Sequence, residues 1–322
     1  MAFDYPWLIG GLSEVSLSLS RTLAYVASGG MEGVATPGDL RVTPNSAMQL
    51  NIAPGAFTTV SRFQGAGGQS YIGFNDATAT LTIPANTGAN PAYYLVYAKV
   101  TDPAYDAIDQ TPHQVELTYV SASSNTANSL SDVGLSDTTG YVIARLEIPA
   151  NTAAITTAMI VDLRSVVHQR RFEDEYMLSG GFSTVDLTSS SYVAFPSAAN
   201  WNIKIPTWAT RLKVIGHIGG YKIVEGGNGG NVVGQFRVAY GTLTGPPTQY
   251  NHSMPAGFGT IDAGASTVIA SWYIPDALRG TTQSMTFQAK RDSGTTGTNI
   301  RADGGTNIAM QVIFIEEADK GV

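Results

Sequence analysis

The chain has 322 residues, 35 of them glycine and none cysteine, with 13% charged residues and a formal net charge of -7. Without cysteine, a disulfide scaffold, a thiolate zinc site, an iron–sulfur cluster and a cysteine nucleophile are excluded. The acidic balance argues against a surface that gathers phosphates by counterion release, so nucleic acid is not an expected partner.

No apolar run approaches the roughly 18 residues needed to span a bilayer. The start, Met1-Ala2-Phe3-Asp4-Tyr5, lacks the basic region of a signal peptide. The expected product is made in the cytoplasm and does not insert into a membrane. Taken in chain order, residues 1–35 read as a docking arm whose apolar stretch, Tyr5 to Ile9, suits burial on a neighbouring subunit. Val15, Leu17 and Leu19 alternate with serines as a strand would, whereas Arg21 to Ser28 also fits a short helix ending at Gly29-Gly30. Strand and helix both stay open there.

From about residue 47, apolar and polar residues alternate with the period of half-buried strands. Met48, Leu50 and Ile52 form one set, Ala79, Leu81 and Ile83 a second, Val115, Leu117 and Tyr119 a third. Turn formers separate them, as at Ala53-Pro54-Gly55 and Gly65-Ala66-Gly67-Gly68. Ile83-Pro84-Ala85-Asn86-Thr87 recurs as Ile148-Pro149-Ala150-Asn151-Thr152, which predicts two similar turns in one sheet system.

Between Val167 and Gly181 the charges crowd, His168-Gln169-Arg170-Arg171 and then Glu173-Asp174-Glu175, before Gly180-Gly181. This reads as an exposed joint over 168–181. Alternation resumes through Trp201, Ile203 and Ile205, Phe236 and Val238, Val268, Ala270 and Trp272, and Met310, Val312 and Phe314. No helix of three turns is evident. The expectation is an all-β protein with a β domain over 1–167 and a β-sandwich or jelly-roll-like head over 182–322.

The Walker pattern, the dinucleotide glycine fingerprint, the nucleophile elbow and the zinc helix H-E-x-x-H are absent. The run Gly226 to Asn231 opens no helix and reads as a hairpin tip. Asp102, Asp106 and Asp109 match no calcium loop and read as a solvated acidic turn. His113, His168, His217 and His252 fall in no metal or catalytic spacing, and His252 draws notice only because it lies in a polar, aromatic loop. No catalytic residue, metal ligand or cofactor is assigned.

Aromatics carry what remains, because sugar rings stack on exposed aromatic faces while amides take the hydroxyls. Trp201 and Trp272 share phase with aliphatics and are predicted to be core. Trp208, Tyr221, Tyr250 and Phe258 lie in or beside turns, and Tyr273 points opposite to Trp272. With Asn228, Asn231 and Asn251 as polar partners, these five aromatics are the glycan-binding candidates.

Several segments resemble the minor tail proteins of long-tailed bacteriophages that infect actinobacteria. They are Tyr5-Pro6-Trp7, Glu32-Gly33-Val34, Pro37-Gly38-Asp39-Leu40-Arg41-Val42-Thr43, Ile52-Ala53-Pro54-Gly55-Ala56, Gly68-Gln69-Ser70-Tyr71-Ile72-Gly73, Leu95 to Pro103 and Ile155 to Arg164. They occur in the expected order over roughly residues 1 to 167, and Ile205 to Arg211 resembles the opening of a β-sandwich head in this group. The resemblance implies a virion protein of the tail tip or baseplate, assembled in the host cytoplasm. Its N-terminal half would attach to other tail subunits, and its head would meet host cell-wall glycan. It also implies a homo-oligomer, a trimer about the tail axis. No catalytic residue comes with it. Three readings stand at this point: a receptor-binding head without enzymatic activity, a purely structural baseplate component, and a polysaccharide depolymerase.

Overall fold

The computed structural model describes residues 14–105, 114–180, 183–225 and 229–318, and side chains other than those of 14–19 and 262–263. Tyr5 to Ile9, Asp106, Asp109, His113 and Asn228 lie outside the described residues. Among the described residues the chain is all-β apart from one α-helix and three short 3-10 turns. It divides into two units, Met1–Gln169 with Glu317–Val322, and Arg170–Glu316.

In the N-terminal unit, helix α1 (Glu14–Ser28) precedes β1 (Gly33–Val34), β2 (Val42–Pro44), β3 (Gln49–Ile52), β4 (Gly55–Val60), β5 (Ser70–Asn75) and β6 (Ala79–Thr82). Then come β7 (Ala92–Thr101), β8 (Gln114–Ala122), β9 (Gly140–Ile148) and β10 (Ile160–Asp162). They form three antiparallel sheets, β1-β4-β5, β2-β3-β6 and β10-β9-β7-β8. The alternating sets point inward as their phase requires: Leu50, Ile52 and Ile83 join Val96, Leu146 and Ile148 in one core.

Helix α1 settles the choice left open between strand and helix, starting earlier than the short helix expected over Arg21 to Ser28, and residues 20–35 correct the docking arm. Arg21 and Ser28 are buried, and Val34 lies in this unit's own core. The helix stops at Gly29 and Gly30, whose φ angles of 60 and 69° are left-handed. Asp102 is not a solvated acid. It is 1% exposed, pairs with Arg21 at 2.5 Å and accepts the Tyr71 hydroxyl at 2.6 Å.

The two similar turns meet each other. Asn86 and Thr152 exchange backbone hydrogen bonds of 3.1 and 2.9 Å, and the Asn86 side-chain amide donates to the carbonyls of Ile148 and Pro149. The segments that carry the family resemblance also converge. Arg164, 3% exposed, pairs with Asp162 at 2.6 Å and donates to the carbonyls of Pro37 and Asp39. Asp39 in turn accepts from Thr36 and from the Ala56 N–H, and a Cβ on Gly55 would meet Asp39 at 2.4 Å.

The C-terminal unit opens with β11 (Arg171–Ser179), a nine-residue strand inside the segment expected to be a joint. Its charges hid it: Glu173 and Glu175 face out while Tyr176 and Leu178 pack inward on the core. There follow β12 (Val185–Asp186), β13 (Val193–Ala194), β14 (Asn200–Lys204), β15 (Arg211–Val224), β16 (Gly230–Tyr240), β17 (Leu243–Thr244) and β18 (Thr248–Met254). Next come β19 (Thr260–Tyr273), β20 (Thr282–Gly294), β21 (Asn299–Ala302) and β22 (Asn307–Ile315).

Merging collinear short strands leaves eight positions along the chain. The first pairs with the eighth (β11 with β22, β12 with β21), the second with the seventh (β13 and β14 with β20), the third with the sixth (β15 with β19) and the fourth with the fifth (β16 with β17 and β18). Joining β22 and β21 to β15, and β20 to β16, completes two sheets of order 1-8-3-6 and 2-7-4-5. A long hairpin folded over on itself in this way is the jelly roll that the sequence pattern anticipates. The two sheets share one core, in which Leu212 and Val214 of the first face Phe236, Val238 and Tyr240 of the second.

Candidate functional site

The strand register sorts the eight candidates into separate places. Val224 pairs with Thr260, Gly230 with Met254 and Val224 with Asn299, so Glu225, Gly229 and the loops 255–259 and 295–298 share one end of the sandwich. Phe258 and Asn231 belong to that end. Trp208 and Tyr273 lie at the other, beside the start of β15, where Arg211 pairs with Tyr273. Asn251 is exposed on β18, and Asn228 is outside the described residues.

Tyr221 and Tyr250 are corrections. They are 1% and 3% exposed and belong to the core. Tyr221 follows Gly219-Gly220, which reads as a turn but is a bulge inside β15, with Gly220 at φ 67°. The bulge shifts the parity, so Leu212, Val214 and Ile218 point inward before it and Tyr221 and Ile223 after it. Tyr250 follows a Gly-Pro-Pro turn but sits within β18, opposite Gly234; a Cβ there would meet the Tyr250 hydroxyl at 2.2 Å. The Tyr221 hydroxyl is hydrogen-bonded to His252 Nε2 at 2.9 Å, and His252 stacks on Tyr250. Burial pushes the His252 pKa down and the Tyr221 pKa up. His252 therefore serves packing.

Trp208 is corrected in part. It packs half-buried against the core, with the Arg170 guanidinium 5.2 Å from its ring centroid. Trp201 and Trp272 also pack half-buried on the core, as their phase predicts. Tyr273 is 37% exposed, with Arg211 5.6 Å from its ring. Phe258 is the most exposed aromatic of the set, at 63%.

Phe258 is displayed by a built loop. It stands between Gly257 and Gly259, at φ 86 and 67°, conformations in which glycine is unstrained. The Glu225 carboxylate accepts the N–H groups of Gly257 and Gly259 from the neighbouring loop at 3.1 Å each, and that of Gly229 four residues on in its own segment. Asn231 and Thr295 are hydrogen-bonded to each other beside it and tie in the third loop. Glu225 was not legible in the sequence, because a backbone cradle has no residue signature.

The Gly259 N–H, then those of Gly229, Gly257 and Phe258, hold the Glu225 carboxyl below the usual carboxylate range. A depressed folded pKa means the cradle is at full strength above the unfolded carboxylate pKa and is lost as pH falls through the folded value. The amide resonances of Gly257 and Gly259 should shift together on acidification, at a pH below the usual carboxylate range. Glu225→Gln should abolish that shared titration, and its survival in the variant would exclude the cradle.

Two further features were not anticipated. On the outer face of the second sheet, Arg237 lies 3.6 Å from the Tyr192 ring centroid and donates to Gln288 at 2.7 Å. In the N-terminal unit, a cavity of about 240 Å³ lies between α1 and the β1-β4-β5 sheet, lined by Ala24, Ala27, Gly33, Phe57 and His168. His168 Nε2 already bonds the Ala27 carbonyl oxygen, so few free polar groups converge there. Among the described residues, no group of three or more His, Asp or Glu side chains is placed to hold a metal ion, and no helix is long and apolar enough to cross a membrane.

No family model matches the chain, and no curated protein matches it. Among solved structures it is similar to the VP2 subviral particle of infectious bursal disease virus, at 11% identity over 90% of this chain and 71% of that one, with a TM-score of 0.26. The Gt strain of the same virus gives 12% identity over 89% and 75%, with a TM-score of 0.23. An insecticidal delta-endotoxin from Bacillus thuringiensis gives 8% over 89% and 53%, at 0.17. At TM-scores this low the likeness says nothing of fold or function, which rest on the chain's own residues.

Proposed function

We propose that this chain is a virion protein of the phage tail tip or baseplate, whose N-terminal unit attaches to other tail subunits and whose jelly-roll head binds host-surface glycan during adsorption. Two things support the attachment role: the resemblance over residues 1 to 167, and the fact that its segments meet at Arg164 and Asp39. The observation that carries the binding role is Phe258, held out by a glycine loop that the Glu225 carboxylate fastens. An exposed ring fixed in place loses little entropy on stacking against a sugar, and Asn231 and Thr295 at the same end offer polar groups for hydroxyls. Such binding needs no catalytic group and no cofactor. Weak single contacts gain avidity from repeated copies on one particle, which suits a homo-oligomer such as a trimer.

Phe258→Ala should weaken binding to an array of bacterial cell-wall glycans by about 1–3 kcal/mol, taking base-on-ring stacking as the guide, with the melting temperature unchanged. Full binding by the Phe258→Ala, Asn231→Ala double variant would refute the rim and favour the purely structural reading.

A further inference from the structure

The strands of the second head sheet carry Lys204, Arg237, Lys290 and Arg291 against a single acid, Asp292, in a chain whose net charge is -7. On the outer face of that sheet the register aligns Gln249, Gln235 and Lys290 in one row and Arg237 with Gln288 in the next. Cations and amides share this surface with one aromatic ring, that of Tyr192.

Arg237 is held there as a fixed cation. Its guanidinium carbon lies 3.6 Å from the centroid of the Tyr192 ring, and its Nε donates to Gln288 at 2.7 Å. The Tyr192 hydroxyl donates to Gln235, which anchors the ring. Among the described residues, neither terminal amino group of Arg237 donates to a protein acceptor, and neither is buried. Arginines elsewhere, such as Arg164 and Arg301, direct their guanidinium groups at carboxylates. Lys290 pairs with Asp292 at 2.6 Å, so the uncompensated charge on this part of the face is that of Arg237. An arginine that serves solubility alone needs neither a ring nor an amide to fix it. A fork fixed in advance and left unengaged suits oxyanion recognition, because its side-chain entropy is lost before the ligand arrives.

We infer that this face binds an acidic polysaccharide, the Arg237 fork taking an oxyanion of the polymer, a phosphodiester or a carboxylate. The side-chain oxygens of Gln235 and Gln288 accept from Tyr192 and Arg237, so the two amides present their N–H donors to sugar hydroxyls. Nucleic acid fits less well, since its affinity grows with the number of phosphates neutralised, and one uncompensated guanidinium neutralises one. The inference does not rest on the rim: Asn231 is exposed on the same strand, but about 20 Å along it from Arg237.

The test measures binding of the full chain to three polymers of matched length, a poly(glycerol phosphate), a polygalacturonate and neutral dextran. At least one acidic polymer should bind about tenfold more tightly than dextran or better, as one charge-assisted contact provides, and the one that does so identifies the oxyanion. If dextran binds as tightly as both, or if none of the three binds, the inference fails. That comparison needs no variant, so it stands even where a substitution unfolds the head. Arg237→Gln should weaken the acidic polymer about tenfold and leave dextran unchanged, and Arg237→Lys, which keeps the charge but loses the fork, should fall between. Phe258→Ala should leave the preference for acidic polymer in place, which separates this face from the rim. Unchanged binding in Arg237→Gln would overturn the assignment, as would single-stranded DNA that binds as tightly as the acidic polymer with the same dependence on Arg237.

Discussion

Arg164→Ala should destabilise the N-terminal unit by about 3–5 kcal/mol, the cost typical of removing one partner from a buried ion pair. The side chain is enclosed, and its guanidinium fork serves three groups at once: the Asp162 carboxylate and the carbonyls of Pro37 and Asp39. Alanine would leave a carboxylate without its counter-charge and two backbone acceptors without donors. Arg164→Lys keeps the charge but loses the planar fork, so its cost should fall in between. Urea unfolding is the measurement, followed by probes in each unit, since Arg164 belongs to the N-terminal one. The transition of that unit should move to lower urea while the head's stays in place. A shift worth less than about 1 kcal/mol would place the pair among exposed, weak ones.

Tyr221→Ala should cost the head about 3–5 kcal/mol, as expected for truncating a buried aromatic. Its ring meets Phe236 edge-on at 5.4 Å, and its hydroxyl partners His252. Tyr221→Phe isolates the second contribution, leaving His252 Nε2 without that partner at a cost of about 1–3 kcal/mol. Phe258→Ala and Tyr273→Ala, at exposed positions, should change stability by less than about 0.5 kcal/mol. Thermal unfolding together with glycan binding separates these cases. Loss of binding in Tyr221→Ala would follow from loss of the fold, whereas loss in Phe258→Ala would occur in a folded head. An unchanged melting temperature in Tyr221→Ala would contradict its place in the core.

Period-two alternation is a local property, so the all-β class, the inward faces of β3, β16 and β22, and the core setting of Trp201 and Trp272 were determined by sequence alone. Phe258 and Tyr273 were legible as exposed from equally local signals, one from its place in or beside a turn and the other from its phase. Helix α1 was half legible. Serine and leucine alternate through its first turns as in a strand, and the residues that commit it, Arg21 on Asp102 above all, find their partners about eighty residues away.

Parity and partnership, in contrast, were decided only in three dimensions. The same Gly219-Gly220 can end a strand or bulge it. A bulge became the answer when β19 paired with β15 both before and after it, with β22 alongside before it and β21 after, carrying Tyr221 inward. A charged run such as Arg171 to Glu175 is a linker until another strand offers it a ladder, which β22 does. Glu225 became an anchor because three glycine amides from two loops converge on it. Sequence determines which side of a strand is apolar, since that depends on each residue and its neighbours. Tertiary structure decides which backbone groups lie close enough to bond, because that depends on chain segments far apart in sequence.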